Sequence, residues 1–338
     1  MKRRAVIEEA IGETRAAVYE GRKLVEFHLR RHIAAAPPRA RDIFTGRVIA
    51  VDPSVAGAFV DLGGGVSGLL KFASRKILPK LTEGLLLDVE ISRAGIGGKG
   101  ANITYVGEAS RDKVGAVKQH NLREYLSLLY PDITFDETSV SALDNTVERQ
   151  IAIKGGGSVT FDQTQALLAI DVDKGEAATP LDSSLAAVEL IASQLRLRGL
   201  GGLVVIDFPN LRQPKQRTSL LRALDKAFEA DPAIVKSSQI SRFGCVEMTR
   251  SLVDLSLDAL LNDRFGRPTL ETRALRAIRR LEREGGANAG AKLTLHAPQD
   301  IIDWLGVAQF DWRAELTNRI GARFDVKLGE AVDVSADR

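Results

Sequence analysis

Two aspartates, Asp171 and Asp207, end two apolar segments of similar character, AIDVD and VIDF. If these segments are neighbouring strands about 4.8 Å apart, the two carboxylates point toward one place at the carboxyl ends of the strands, where open α/β sheets bind ligands. Two carboxylates in one site repel each other unless a cation lies between them, so the pair predicts a Mg²⁺ or Mn²⁺ site. Such a metal polarises a phosphoryl oxygen or lowers the pKa of a bound water. The alternative is that each aspartate caps a following turn, but two in one unit favour the metal site.

The elements around the aspartates follow an α/β order. Residues 166–173 predict an apolar strand, residues 185–198 have helical apolar spacing, and residues 203–208 predict a second strand. Strand, helix and strand then form a right-handed unit with parallel strands, which we expect to be buried on both faces. A helix over 216–229 and a strand over 234–241 continue the α/β pattern.

Before and after this core the pattern differs. Five short β-rich runs between 42 and 105 predict a small closed barrel: GRVIAV, AGAFVDLG, VSGLLKF, LLLDVEIS and GANITYV. The stretch 106–146 contains a predicted helix over 115–129, which a Tyr-Pro pair ends. From about residue 269 onward, alternating helical and β patterns predict a small α+β unit.

Length and composition narrow the class of protein. With 338 residues, and roughly 150 residues per domain, two or three domains are expected. One cysteine excludes an intrachain disulfide, and with four histidines a Cys/His zinc site is not expected. No run reaches the roughly 18 apolar residues of a membrane span, and no signal peptide is recognisable, so we expect a cytoplasmic protein.

The charge distribution leaves two interpretations open. The net charge of +3 is too small to indicate a nucleic-acid partner by itself. Residues 191–250, however, contain ten basic against five acidic residues. This excess is compatible with a solvated surface and with a footprint for a polyanion.

A resemblance narrows these interpretations. The segments ALLAIDVDKGEA, SLAAVELIASQLRLRGLGGLVVIDFPNL and QISRFGCVEMTR, within residues 147–252, resemble the ribonuclease E/G family. That family consists of endoribonucleases that cut single-stranded, often A/U-rich RNA with Mg²⁺. The resemblance implies a DNase I-like core in which Asp171 and Asp207 are catalytic and bind the metal.

The same resemblance extends to the barrel. The stretch FTGRVIAVDPSVAGAFVDLGGGVSGLLKF resembles the inserted S1-type OB barrel of the family, in which Phe59 and Lys99 stand where an aromatic ring and a lysine hold RNA. Leu69 stands where a second aromatic residue is expected, and Phe72 is a candidate substitute for it. The alternative for Phe59 is an inward-facing core residue. Among the basic residues of 191–250, Arg242 is the first candidate to neutralise RNA phosphates.

Several positions depart from the family pattern. The Cys-Pro-x-Cys motif that links subunits through zinc is missing, so no structural zinc and no zinc-linked dimer are expected, and a monomer or another dimer remains. The stretch 106–146 is too short for the family's 5′-end sensor and RNase H-like region. Near the predicted metal, Asp173 replaces an asparagine and Gln165 replaces a glutamate. Asp173 is either a third metal ligand or only an added negative charge.

Together these observations predict a multidomain α/β protein with a DNase I-like catalytic core, an inserted S1-type OB β-barrel and a small α+β C-terminal domain. The predicted division is 1–41 (a segment packing on the core), 42–105 (barrel), 106–146 (shortened connector), 147–252 (core) and 253–338 (C-terminal domain). The leading hypothesis is a Mg²⁺-dependent endoribonuclease acting in RNA processing or decay. The alternatives are a non-cleaving RNA-binding or ribosome-associated factor and, with less support, a small-molecule phosphohydrolase.

Overall fold

The computed structural model describes residues 2–32, 38–72, 80–95, 100–137, 147–176, 179–263 and 265–337. The chain begins with three antiparallel strands, β1 (Arg3–Ala10), β2 (Glu13–Glu20) and β3 (Lys23–Arg31). Gly12, at φ 78°, makes the turn between β1 and β2. A Cβ atom there would come within 2.7 Å of the Leu275 and Phe310 side chains. The turn therefore needs glycine both for its backbone conformation and for its close packing on the C-terminal part of the chain.

A closed five-stranded barrel follows. Its strands are β4 (Ile43–Asp52), β5 (Gly57–Gly63), β6 (Val66–Lys71), β7 (Leu86–Arg93) and β8 (Ala101–Glu108). They pair in the order β5-β6-β8-β7-β4, and a further pairing of β4 with β5 closes the ring. Only β6 and β8 run parallel, which gives an OB-like connectivity. The predicted barrel is confirmed, and alternate residues such as Val48, Val60 and Val89 fill its interior.

The chain then returns to the N-terminal sheet. It forms β9 (Gly115–Lys118), which pairs with β4, then α1 (Leu122–Leu129) and β10 (Thr134–Glu137), which pairs in parallel with β1. The predicted helix over 115–129 is therefore wrong in its first half. The helix begins only after Asn121, whose side chain accepts a hydrogen bond from the Glu124 backbone in a capping box. Strands from both sides of the barrel thus build one sheet, in the order β10-β1-β2-β3.

A further sheet, of six strands, contains the predicted strand-helix-strand unit. Its elements in chain order are β11 (Gln150–Ala152), β12 (Ser158–Gln163), β13 (Leu168–Asp173), α2 (Pro180–Leu197), β14 (Gly202–Asp207), α3 (Pro214–Phe228), β15 (Val235–Ser237) and β16 (Cys245–Arg250). The strand order is β11-β12-β13-β14-β16-β15, and β13 and β14 are its one parallel pair. Thr179 caps α2, with Pro180 in its first turn, and this fixes where the crossover helix begins.

The six-stranded sheet has helices on one face only in the described chain. Ile170 and Ile206 point into a core shared with α2 and α3, where Ile191 is fully buried. The residues that alternate with them, Asp171 and Asp207, are exposed. The expectation of strands buried on both faces is therefore wrong, because α2 and α3 pack into the same core cluster and leave the other face open.

The C-terminal part begins with α4 (Leu257–Leu261), whose Leu257 and Leu261 pack in one cluster with Phe27 and Leu29 of β3. The elements after it form a separate core cluster: α5 (Leu270–Ala287), β17 (Lys292–Ala297), α6 (Gln299–Gly306), α7 (Trp312–Ile320), β18 (Phe324–Leu328) and β19 (Asp333–Asp337). The three strands order as β18-β17-β19, and Ile278, Leu281 and Leu295 lie in the cluster between the sheet and its helices. This is an α+β arrangement, as the sequence predicts. Within the described residues, no helix combines the length and the apolar character that crossing a membrane requires.

Candidate functional site

Asp171 and Asp207 are direct neighbours in the parallel ladder between β13 and β14. Their Cα atoms are partners in the register, about 4.8 Å apart at the usual strand spacing. Both side chains are exposed on the open face of the sheet. Neither forms an ion pair with a basic side chain in the described parts of the chain. The structure thus brings together the two carboxylates at the strand ends, with no protein cation to neutralise them.

The row of the sheet that holds the two aspartates contains two further polar side chains. Thr160 on β12 is the register partner of Asp171, and Cys245 on β16 is the register partner of Asp207. Burial raises the pKa of the half-buried Cys245 thiol, and the negative charges of Asp207 and Glu247 raise it further. The thiol is therefore neutral near pH 7, and it is a poor nucleophile and a poor metal ligand.

Asp173 lies two residues beyond Asp171 on the same face of β13. Its Oδ1 atom accepts a hydrogen bond from the backbone N–H of Gly175 at 3.0 Å. Among the described residues, no three His, Cys, Asp or Glu side chains come close enough to hold a metal together. A role of Asp173 as a third ligand stays a prediction. Gln165, the other departure from the family pattern, lies exposed in the turn between β12 and β13.

The two opposed aspartates fit a hard divalent cation. Mg²⁺ is commonly held by one or two carboxylates, with water and substrate phosphate oxygens filling its other positions. An exposed carboxylate pair on an open sheet face leaves space for those additional ligands. The same donor set does not fit a structural zinc site, which needs four protein ligands rich in Cys and His.

Arg242 lies at the same end of the sheet as the aspartate pair. It belongs to the tight turn between β15 and β16, where the Ser241 N–H donates to the Cys245 carbonyl oxygen at 2.9 Å. Its guanidinium lies over the Phe243 ring, 4.9 Å from the ring centroid, and both side chains are exposed. Since Cys245 is the register partner of Asp207, this turn lies at the same end of the sheet as the carboxylates.

The barrel presents a second candidate surface. Phe59 is 38% exposed, because its neighbours Ala58 and Val60 take the inward positions of β5. The interpretation of Phe59 as a core residue is therefore wrong. Leu69 on β6 is its direct cross-strand partner and is half-buried. Phe72 packs instead against the core of the barrel.

The connection between β7 and β8 contains another residue that the sequence predicts to bind RNA. Lys99, predicted to hold RNA, lies outside the described residues. The basic residue at the start of this loop, Arg93, is not predicted from the sequence. Arg93 ends β7 and is the register partner of Asn102 on β8, which is itself the partner of Leu69.

Arg93 is half-buried and has few hydrogen-bond partners. Its Nη2 atom lies 3.5 Å from Asn102 Oδ1, and its buried Nε atom has no hydrogen-bond partner. No carboxylate pairs with it in the parts of the chain that the structure describes. Sequence alone gives no signal for this position, because the row Phe59–Leu69–Asn102–Arg93 depends on the long-range parallel pairing of β6 with β8.

A buried ionic cluster holds the N-terminal sheet against α2, the helix behind the aspartate strands. Arg196 on α2 donates to Glu26 on β3 at 3.0 Å and to Glu20 on β2 at 2.8 Å, and Tyr130 donates its hydroxyl to Glu26 at 2.6 Å. Burial alone would raise the pKa of Glu26. Hydrogen bonds from His28 and Tyr130, together with the charge of Arg196, outweigh it and lower that pKa to about 2.

The part of the chain that contains the aspartate pair is similar to known proteins. Residues 105–253, which include the aspartate pair, match the profile of the Ribonuclease E/G family. Over this region the chain is similar to the ribonuclease E/G family. The match also extends upstream of the six-stranded sheet, to β8, α1 and β10.

Individual ribonucleases E and G align over parts of the chain. Ribonuclease E of Escherichia coli is 33% identical over 159 residues, which cover 44% of this chain and 15% of that protein. Ribonuclease E of Haemophilus influenzae is 37% identical over 124 residues, which cover 35% of this chain and 13% of that protein. Ribonuclease G of Escherichia coli is 27% identical over 200 residues, which cover 55% of this chain and 41% of that protein. The chain thus spans less than half the length of each of these ribonucleases.

Proposed function

We propose that this chain is an endoribonuclease that cleaves single-stranded, A/U-rich RNA in RNA processing or decay. One observation carries the proposal: Asp171 and Asp207 are register partners at the carboxyl ends of parallel strands, within the ribonuclease E/G region. A ligand bound at this end of the sheet meets two carboxylates at once, which is the arrangement that recruits a divalent cation to a phosphodiester.

Asp171 and Asp207 would hold the cation, Mg²⁺ in the first instance and Mn²⁺ as the alternative. When bound, the metal would supply a water of lowered pKa and neutralise charge on the phosphoryl group. Arg242 contributes a second positive charge beside the carboxylates and binds a phosphate oxygen. Hydrolysis in this way leaves a 5′-phosphate and a 3′-hydroxyl.

The barrel would hold the single-stranded RNA. Phe59 offers an exposed ring for base stacking, and Arg93, which has no carboxylate partner in the described chain, offers a guanidinium for a phosphate. The two residues lie at opposite ends of one cross-strand row, so a strand of RNA lying across the row contacts both. Lys99 is proposed to add a further cation at this surface.

The proposal also includes the fold type of the core and of the barrel, the cellular location and the oligomeric state. The mixed six-stranded sheet with its helices on one face supports a DNase I-like core. The OB-like connectivity supports an S1-type barrel. Action in the cytoplasm, and assembly as a monomer or as a dimer without zinc, remain predictions.

The direct test incubates the purified chain with a 5′-labelled, A/U-rich single-stranded RNA in Mg²⁺, in Mn²⁺ and in EDTA. We expect internal cleavage in the metal-containing reactions only, with 5′-phosphate and 3′-hydroxyl ends on the products. Cleavage that persists in EDTA, or products with 2′,3′-cyclic phosphate ends, would contradict the proposed chemistry, since the second product arises from attack by the RNA itself.

A second candidate function rests on one observation. Within the described residues, no third His, Cys, Asp or Glu joins Asp171 and Asp207 to hold a metal, and one carboxylate oxygen of Asp173 accepts a hydrogen bond from the Gly175 N–H. A site that has lost metal affinity in this way would leave an RNA-binding factor that does not cleave. Tight, salt-sensitive RNA binding without hydrolysis in either Mg²⁺ or Mn²⁺ would favour this function over the endoribonuclease.

A further inference from the structure

The turn between β15 and β16 exposes an aromatic ring that does not contribute to packing of the core. Phe243 is 78% exposed, and its contact within the described chain is the Arg242 guanidinium, 4.9 Å from the ring centroid. Exposing a phenylalanine to this degree leaves apolar surface in water without a gain in packing. A large exposed ring paired with a cation is the kind of surface on which nucleic-acid bases stack.

The turn that presents Phe243 is held in one conformation. The Phe243 N–H donates to Ser241 Oγ at 3.3 Å, and the Gly244 N–H donates to the Ser241 carbonyl oxygen at 3.0 Å. Gly244 has a φ of 96°, a region that suits glycine, and it closes the turn. Because these bonds hold the backbone of the turn, little ordering of the turn is needed when a base binds to the ring.

The turn is close to the aspartate pair. Only Gly244 separates Phe243 from Cys245, so their Cα atoms are at most about 7 Å apart. Cys245 is the antiparallel register partner of Asp207, with Cα atoms roughly 5 Å apart. The Phe243 backbone therefore lies within about 12 Å of the Asp207 backbone, and a base on the ring belongs to a nucleotide near the phosphate at Asp207.

We infer that Phe243 is a base-stacking platform that positions single-stranded RNA at the aspartate pair, with Arg242 pairing with the adjoining phosphate. This inference rests on the proposed function, and it adds a subsite beside the site of cleavage, separate from the barrel surface. Stacking makes the subsite sensitive to the size of the base. Purines, which have the larger ring system, bind better there than pyrimidines.

The chain offers a matched control. Phe265 is 65% exposed and also lies beside an arginine, Arg267, whose guanidinium is 5.1 Å from the ring centroid. It belongs to the connection between α4 and α5, outside the six-stranded sheet. Changes at Phe265 therefore alter an equivalent exposed aromatic–arginine pair away from the aspartates.

The first arm of the test measures stacking without cleavage. Phe243→Trp and Phe265→Trp are titrated with a single-stranded oligoribonucleotide in EDTA, and the added tryptophan fluorescence is followed against the common background of Trp304 and Trp312. We expect quenching in the Phe243→Trp variant and none in the Phe265→Trp variant. Equal responses in the two variants, or no response at position 243 while the RNA binds, would overturn the inference.

The second arm uses cleavage by the wild type and by Phe243→Leu, on RNAs with a normal or an abasic nucleotide beside the cleavage site. We expect Phe243→Leu and the abasic nucleotide each to lower kcat/KM roughly tenfold. When the variant acts on the abasic RNA, kcat/KM should be hardly lower than with either change alone. Fully additive effects would show that ring and base do not interact. Phe265→Leu should cleave like the wild type.

The two arms separate the possible failures. If the wild type does not cleave but position 243 is quenched, the endoribonuclease proposal fails and the stacking subsite stands. A different occupant of the ring, a second copy of this chain, is tested by sedimentation. A dimer that Phe243→Leu converts to monomer would overturn the inference, whereas the same oligomeric state in wild type and variant supports it.

Discussion

Phe59 on β5 and Leu69 on β6 are direct cross-strand partners on the outer surface of the barrel. Phe59 is 38% exposed, and Leu69 is half-buried beside it. An aromatic ring at either position is available to a base, but a leucine offers no π face for stacking. The barrel therefore has one stacking residue at a place where its geometry accommodates two.

The change Leu69→Phe should tighten binding of single-stranded RNA by about fivefold or more, since each stacked base contributes about 1 to 3 kcal/mol. Phe59→Leu should weaken binding by a similar factor. Both are measured by fluorescence anisotropy with a labelled oligoribonucleotide, with Phe265→Leu as the control for loss of an exposed ring elsewhere. Unchanged affinity in both barrel variants would show that RNA does not lie on this surface.

Arg93 should contribute one phosphate contact. Replacing it by glutamine should lower the affinity for single-stranded RNA and reduce the slope of log K against log salt by about 0.7, the value for one contact on a single strand. The matched control is Arg273→Gln, which removes an arginine that is paired with Asp300 in the C-terminal domain. A salt slope that does not differ between the two variants would exclude Arg93 from the contact.

The sequence predicted the parts of the fold that depend on local pattern. The strands around Asp171 and Asp207 and the helix between them follow from apolar spacing and from the glycines after Arg198. The open face of that sheet was not predictable in this way, because Ala169 and Val205 are as apolar as buried residues although they lie on the uncovered side. A continuous apolar run does not distinguish one covered face from two.

The part of the site that could not be predicted depends on long-range pairing. Asn102 adjoins both Arg93 and Leu69 because β8 pairs with β7 and with β6, and no short sequence window contains these pairings. The same holds for Phe243, whose closeness to Asp207 depends on the antiparallel register of β14 and β16. The sequence predicted Arg242 as a cation that binds a phosphate, but the exposure of the Phe243 ring is evident only in the structure.

Asp173→Asn should separate the two roles considered for this residue. Asparagine keeps an acceptor for the Gly175 N–H but removes the negative charge. If Asp173 only adds charge and caps the turn, kcat should stay within about threefold of the wild type and the Mg²⁺ concentration for half-maximal activity should change little. A loss of about a hundredfold, restored in part at high Mn²⁺, would identify it as a ligand.

The ionic cluster behind the site should make stability depend on pH. Because the pKa of Glu26 is lowered to about 2 in the folded chain, its stabilising effect is present above the ordinary pKa of 4.5 and is lost as the pH falls toward 2. The free energy of unfolding should therefore fall between about pH 5 and pH 2, with Glu26 contributing on the order of 3 kcal/mol.

The measurement is urea unfolding of the wild type and of Glu26→Gln across this pH range. The variant should be less stable at pH 6 and should lose less stability on acidification than the wild type does. The control Asp300→Asn removes an exposed carboxylate paired with Arg273 and should change stability little. Parallel pH profiles for the wild type and Glu26→Gln would show that the cluster contributes no pH-dependent stability.

We propose that Asp171 and Asp207 form a metal-dependent cleavage site that is separate from the RNA-binding surface of the barrel. The most direct measurement compares the wild type with Asp207→Asn for cleavage of single-stranded RNA in Mg²⁺ and for binding of the same RNA in EDTA. We expect Asp207→Asn to lower the cleavage rate at least about a hundredfold and to leave the affinity nearly unchanged. A folded variant that still cleaves at the wild-type rate, or that loses binding and cleavage together, would contradict it.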